Sequence, residues 1–228
     1  MYELLIANKN YSSWSLRPWV LMKARGIPFK EVLVPFPGGD SFYFYKDRSP
    51  SGRVPCLTDG GTKVWDSLAI VEYLAERHPG VWAADAGARA WSRSAAAEMH
   101  SSFGTLRNMC GMSCGVRVAL RERPAELERD IERIGELWRE GLSRFGGPWL
   151  AGGEFTAVDA FYAPVAFRAQ TYGLVFGGEA DAWKERMLAH PAMREWYEAA
   201  LAESWREQGH EDEVRQFGDW TADLRAAI

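Results

Sequence analysis

The feature that most narrows the possible folds is a single join near the start of the chain. An apolar run, Leu4-Leu5-Ile6-Ala7, passes through a polar turn into a helical pattern that closes at Gly26 and Pro28. Leu16, Trp19, Val20 and Ala24 recur at i, i+3, i+4 and i+8, which is one helix face. Ser12-Ser13-Trp14-Ser15 then sits at the helix N-terminus. Unpaired N–H groups and the helix dipole favour a bound anion there. On local grounds alone the anion is open, with phosphate as good a candidate as any.

The same alternation continues downstream. Residues 2–7 read as a strand, 15–25 as a helix and 30–35 as a second strand. The Gly-, Pro-, Ser- and Asp-rich segment 36–54 reads as a long loop with room for a short helix; loops of that length tend to be functional or mobile. Strands around 56–58 and 62–65 are joined by the turn Asp59-Gly60-Gly61. A helix opens at Asp66-Ser67, turns Leu68, Val71, Leu74 and Ala75 inward, and ends at His78-Pro79-Gly80. The order β-α-β then β-β-α predicts a small mixed sheet with helices packed on it.

From about residue 87 the strand signals stop. Ala88–Gly115 is helix-like although it carries Gly104, Gly111 and Gly115. Leu127, Ile131, Ile134, Trp138, Leu142 and Phe145 form one stripe, broken by Gly146-Gly147-Pro148. Thr156-Ala157-Val158-Asp159 has capping-box spacing ahead of an apolar helix that Pro164 should kink. Met193, Trp196, Tyr197, Ala200 and Leu201 mark a last amphipathic helix before a polar tail. The expectation is an α/β domain over 1–80 and an all-α domain over 87–228.

Composition removes several function classes. With 27 basic and 31 acidic residues the net charge is −4, and no basic stripe is present, so a nucleic-acid partner is not expected. Apolar stretches are too short to span a bilayer, and the N-terminus lacks the basic-then-apolar pattern of a secretion leader. Three cysteines, Cys56, Cys110 and Cys114, argue against a disulfide framework and for a reducing cytoplasm. Cys110 and Cys114 are four apart and could share a helix face; with no ligand beside them they read as packing residues, and no metal is expected.

Two further features are ordinary when taken singly. Val54-Pro55 is an X-Pro pair before a strand, and Asp66-Ser67 is a helix start where an N-cap suffices. Their joint order is informative. Ser49-Pro50-Ser51-Gly52-Arg53-Val54-Pro55-Cys56-Leu57, Asp66-Ser67-Leu68-Ala69-Ile70-Val71-Glu72-Tyr73-Leu74, and Trp149-Leu150-Ala151-Gly152 with Phe155-Thr156-Ala157-Val158-Asp159 resemble three motifs of the cytosolic glutathione transferase family. The resemblance covers nearly the whole chain. Ser12-Ser13-Trp14-Ser15-Leu16-Arg17 is most similar to the Ser-Ser-Cys-Ser-Trp-Arg of the zeta class, the maleylacetoacetate isomerases; Trp14 and Leu16 stand where that class has Cys and Trp.

That resemblance implies a thioredoxin-like N-terminal domain, an all-α helical domain, and glutathione as co-substrate. The helix turn offers serines and no cysteine, so the sulfur must come from the bound tripeptide. A free thiol with pKa ~8.5 is only a few per cent ionised at neutral pH, and a helix N-terminus with a hydroxyl donor can bring it to ~7. By motif position Ser12 is the hydroxyl that faces the sulfur, with Ser13 its rival, Tyr11 a further rival, and helix capping the plainer role. Val54, before a cis Pro55, would pair its backbone with the cysteinyl unit. Asp66 would face the γ-glutamyl ammonium and Ser67 its carboxylate, and Arg53 either touches glutathione or is a solvated surface residue. The second substrate, a small hydrophobic electrophile, would lie between the domains. Trp14, Met99, Phe103, Arg107, Met109, Met112 and Arg117 come from the right stretches, and their apolar members equally suit a helix core. The family also implies a cytoplasmic homodimer and a detoxification role, with a glutathione-dependent isomerase or a non-catalytic binding protein as the alternatives.

Overall fold

A computed structural model describes residues 1–39 and 41–225. Strand β1 (Tyr2–Ile6) leads into α1 (Ser13–Ala24) and β2 (Phe29–Leu33). The pairing of β1 with β2 is parallel, from Tyr2 opposite Phe29 to Ile6 opposite Leu33. A short α2 (Ser41–Tyr45) interrupts the long loop, and β3 (Cys56–Asp59) and β4 (Thr62–Val64) follow as an antiparallel hairpin. The sheet order is β2-β1-β3-β4, with β3 antiparallel to β1. Helix α3 (Ser67–Ala75) completes this part; its buried residues are Ser67, Ile70, Val71 and Leu74, so Ile70 rather than Leu68 faces inward most fully.

Helix α1 is buried nearly all round, Pro18 included, because it lies between the sheet and the helices that follow. Those are α4 (Ala86–Ser101), α5 (Gly104–Met109), α6 (Ala125–Phe145), α7 (Ala157–Tyr172), α8 (Gly178–Ala189), α9 (Pro191–Ala202) and α10 (Gln208–Phe217). Helix α7 is the hub, packed on α1, α4 and α8, and its five alanines permit close approach of its neighbours. At its start the Asp159 carboxylate accepts from the N–H groups of Thr156 and Leu150, each at 2.9 Å, and from Trp183 Nε1 at 3.1 Å. Among the described residues no helix is long and apolar enough to cross a membrane.

Two expectations are corrected. Ala88–Gly115 is not one helix: it breaks after Ser101, where Phe103 takes a left-handed backbone (φ 61) and caps α5. Cys110 therefore ends α5 and Cys114 lies in the loop beyond, so the two do not share a helix face. Both are buried thiols, and burial pushes Cys110 up to about 12. The helical half also contains strands. β5 (Val116–Leu120) pairs antiparallel with β6 (Gly218–Asp223), so the polar tail returns to the middle of the molecule. Alternating polar residues in a two-stranded ribbon carry too weak a periodicity to stand out in the sequence.

Candidate functional site

The turn between β1 and α1 is held from the far half of the chain. Trp196 Nε1 donates to Lys9 O at 2.8 Å, Asn10 Nδ2 to Ala200 O at 2.5 Å, and Tyr11 Oη to Glu211 Oε1 at 2.7 Å. This fixes the backbone that delivers Ser12 and Ser13. Ser12 is the N-cap of α1, yet its side chain makes no capping bond. Its Oγ instead donates to Ser15 Oγ at 2.7 Å, which also accepts from Ala7 N at 3.4 Å. Ser13 Oγ accepts from Arg168 Nη2 at 3.4 Å.

Three arginines surround this helix end. The Arg17 guanidinium is buried 4.2 Å from the Trp14 ring centre and 4.9 Å from that of Phe161, with Nε and Nη1 unpartnered. Arg107 lies 4.8 Å from the same Trp14 ring and is anchored to the carbonyls of Met99, His100 and Ser102. Arg168 donates to Cys110 O at 2.5 Å besides Ser13. Burial pushes all three guanidinium pKa values down, Arg107 to about 10, and their mutual repulsion adds to this at Arg17 and Arg107. Salt bridges such as Arg133–Glu98 and Arg225–Asp223 lie elsewhere; among the described residues these three arginines form none. Buried cations without counter-ions are costly, so this pole favours an incoming anion.

Two adjoining cavities open here. One, of about 290 Å³, is walled by Ser12, Ser13, Trp14, Arg107, Met112 and Arg168. Tyr11, Phe36 and His210 close its other side, the His210 ring stacked 5.1 Å from Tyr11 and 4.9 Å from Phe36. The second, of about 490 Å³, is walled by Val54, Pro55, Trp65, Asp66 and His100. Trp14, Arg53 and Val54 line both. The Val54–Pro55 bond is cis, and Val54 precedes the ladder that starts at Cys56. Asp66 Oδ1 caps α3 through Leu68 N at 2.9 Å, while Oδ2 lies 3.5 Å from His100 Nε2. Burial lowers the His100 pKa; Asp66 opposes this, and Arg17 and Arg107 reinforce it. Ser67 is fully buried with its Oγ unpartnered. Arg53 is exposed.

Of the residues suggested for the second-substrate site, Trp14, Arg107 and Met112 line the smaller cavity. Phe103 does not; it lies at the helix break with its side chain in the core, where Met99 of α4 and Met109 of α5 also pack. Arg117 sits on β5, bonded to Cys114 O, Val116 O and Tyr197 Oη. Arg168, His100 and His210 were not anticipated. Of the cationic pole, Arg107 is among the residues the sequence suggests, and Arg17 carries a signal through its place in the Ser-x-x-Ser-x-Arg stretch.

Residues 11–77 match the family model described as glutathione S-transferase, N-terminal domain, and residues 118–199 that described as glutathione S-transferase, C-terminal domain. A zeta-class glutathione S-transferase of Euphorbia esula is 30% identical over 70% of this chain and 73% of its own length. The chain belongs to the glutathione S-transferase family. It is similar, at 29% identity over 68% of its length and 76% of the other's, to the maleylacetoacetate isomerase of Pseudomonas aeruginosa. In fold it matches the theta-class glutathione S-transferase of Xanthomonas axonopodis pv. citri, solved with glutathione bound: TM-score 0.63, 25% identity, 86% of this chain and 96% of that one. A glutathione S-transferase of this architecture combines a thioredoxin-like N-terminal part with a mostly helical C-terminal part, as found here.

Proposed function

We propose that this family member is a glutathione transferase that binds glutathione across the two cavities and ionises its thiol for attack on a small electrophile. The carrying observation is the shared wall of Trp14, Arg53 and Val54, which joins a cavity ending at Asp66 to one containing the serine turn. In this reading the γ-glutamyl ammonium meets Asp66 and its carboxylate lies at the start of α3, where the buried Ser67 hydroxyl, which lines neither cavity, must turn outward to meet it. The cysteinyl backbone pairs with Val54, and Arg53 reaches the tripeptide from the rim. The sulfur then points at Ser12 and Ser13. There the helix N-terminus, a hydroxyl donor and the buried arginines each favour thiolate over thiol. The thiol proton leaves to solvent, the thiolate forms a bond to the electrophilic carbon, and the leaving group departs with the bonding electrons.

A glutathione-dependent isomerase is the second reading. The cationic wall of Arg107 and Arg168 suits an acidic acceptor, and the maleylacetoacetate isomerase relative points the same way. Thiolate addition to a double bond, rotation, and elimination would then return glutathione unchanged. A non-catalytic glutathione-binding role is the third. A cytoplasmic homodimer, with domains over 1–80 and 87–228, accompanies all three.

Retention on immobilised glutathione followed by an aryl halide conjugation assay tests the first reading. Retention with turnover supports the transferase; retention without turnover leaves the binding protein; failure of both removes the glutathione reading. Isomerisation of maleylacetoacetate without net glutathione consumption would favour the second reading.

A further inference from the structure

Ser12 and Ser13 differ in what their hydroxyls already do. Ser12 Oγ gives its proton to Ser15 Oγ at 2.7 Å, so that proton is engaged inside the turn. Ser13 Oγ is on the receiving side, accepting from Arg168 Nη2 at 3.4 Å. A hydroxyl has one proton and two acceptor lone pairs. When a cation occupies a lone pair, the proton stays available to another acceptor and becomes a better donor.

Arg168 is built to hold such a position. Its side chain is buried at 5% exposure on α7, the helix that packs directly against α1. Nη1 is tied to Cys110 O at 2.5 Å, while Nε has no partner. The guanidinium is therefore a fixed fork with one prong on Ser13. On the same cavity wall Arg53 and Arg107 carry charge of the same sign, Glu213 carries the opposite sign, and Tyr11, Tyr45 and His210 are the further titratable groups. No ion pair diverts Arg168 among the described residues.

We propose that Ser13, not Ser12, donates the hydrogen bond to the sulfur of bound glutathione, and that Arg168 is the positioning residue that turns the Ser13 hydroxyl toward the cavity. This rests on the glutathione reading above and deepens it. No covalent bond to the protein forms: the thiol proton goes to solvent, Ser13 keeps its own proton and shares it with the thiolate, and Arg168 keeps its charge throughout.

The test is a pH titration of thiolate absorbance for glutathione bound to wild type, Ser13→Ala, Ser12→Ala, Arg168→Met and Arg168→Lys. Ser13→Ala is expected to raise the bound thiol pKa by about one unit, roughly tenfold less thiolate at a fixed pH below it. Arg168→Met should give a shift at least as large, since it removes a nearby charge as well as the positioning contact, and the Ser13→Ala/Arg168→Met double variant should fall short of the sum of the two single shifts, because they share one hydroxyl. Arg168→Lys should restore part of the shift. If Arg168→Met does not fold, Arg168→Lys and the two serine variants carry the test. An unmoved pKa in Ser13→Ala, or a shift confined to Ser12→Ala, overturns the assignment of Ser13; additive shifts in the double variant overturn the positioning role of Arg168. Wild type that binds no glutathione, or binds it only as a thiol, fails the underlying reading instead and takes this inference with it.

Discussion

The carboxylate of Glu203 accepts from the backbone N–H of Lys9 at 2.5 Å, and its other oxygen accepts from the N–H of Asn10 at 3.2 Å. A side chain just past the end of α9 thus closes the turn that precedes Ser12. Glu203 also accepts from Asn10 Nδ2 at 3.1 Å and is buried at 5% exposure. Glu203→Ala would strand those donors away from water, at a cost of about 2–3 kcal/mol. Urea unfolding should register that loss, and glutathione affinity should fall with it as the serine turn loosens. Full stability in Glu203→Ala would mean that water satisfies the turn equally well.

Gly52 stands two residues before Val54 with φ +65, and a Cβ there would come within 2.6 Å of the Phe42 carbonyl oxygen. Gly52→Ala combines left-handed strain with a backbone clash, about 1–3 kcal/mol in all. The loop must shift to relieve it, and Val54 shifts with the loop. The KM for glutathione should rise severalfold with little change in the bound thiol pKa. Steady-state kinetics and the thiolate titration together check this split.

Asp66 serves two roles that substitution can separate. Its Oδ1 caps α3 through Leu68 N, and its charge faces the larger cavity. Asp66→Asn should keep the cap and lose the charge, raising the glutathione Kd about tenfold at unchanged Tm. Asp66→Ala should lose both, adding a stability loss of about 1 kcal/mol. Titration calorimetry and thermal melts read the two effects separately; equal affinity in Asp66→Asn and wild type would remove the ammonium contact.

Burial raises the Asp159 carboxyl to about 6, against hydrogen bonds from Leu150, Thr156 and Trp183 that pull it down. Its folded pKa exceeds its unfolded one, so between ~4 and ~6 the folded state binds more protons than the unfolded chain. The contribution of this group to stability is full below that window, falls as pH rises through it, and is level above. Asp159→Asn should flatten that part of the profile while weakening the start of α7 by about 1–3 kcal/mol through lost charge-assisted bonds. Urea midpoints measured from pH 4 to 7 on both proteins give the difference curve; identical slopes would assign the pH dependence to other groups.

Features decided within a few residues could be read directly. The β1-turn-α1 join, the Asp59-Gly60-Gly61 hairpin, the Asp66 cap and the Thr156-to-Asp159 start of α7 each depend on local chemistry, and each forms where the residue pattern puts it. What escaped depends on partners distant in the chain. Arg168 meets Ser13 from 155 positions away, and in the sequence it is one arginine in an apolar helix. The left-handed backbone at Phe103 breaks a helical pattern without a glycine at the break itself. β6 is recognisable only by its partner β5, because Gly218-Asp219-Trp220-Thr221-Ala222-Asp223 has no strong period of its own.

The Tyr11–Glu211 bond spans 200 positions of the chain, and Arg225 reaches back to the same Tyr11 at 3.0 Å. Because synthesis is vectorial, the sheet residues are available to pair long before these partners emerge from the ribosome. The sheet can therefore fold early, whereas the turn that carries Ser12 and Ser13 gains its last anchors only when α10 and the residues after β6 arrive.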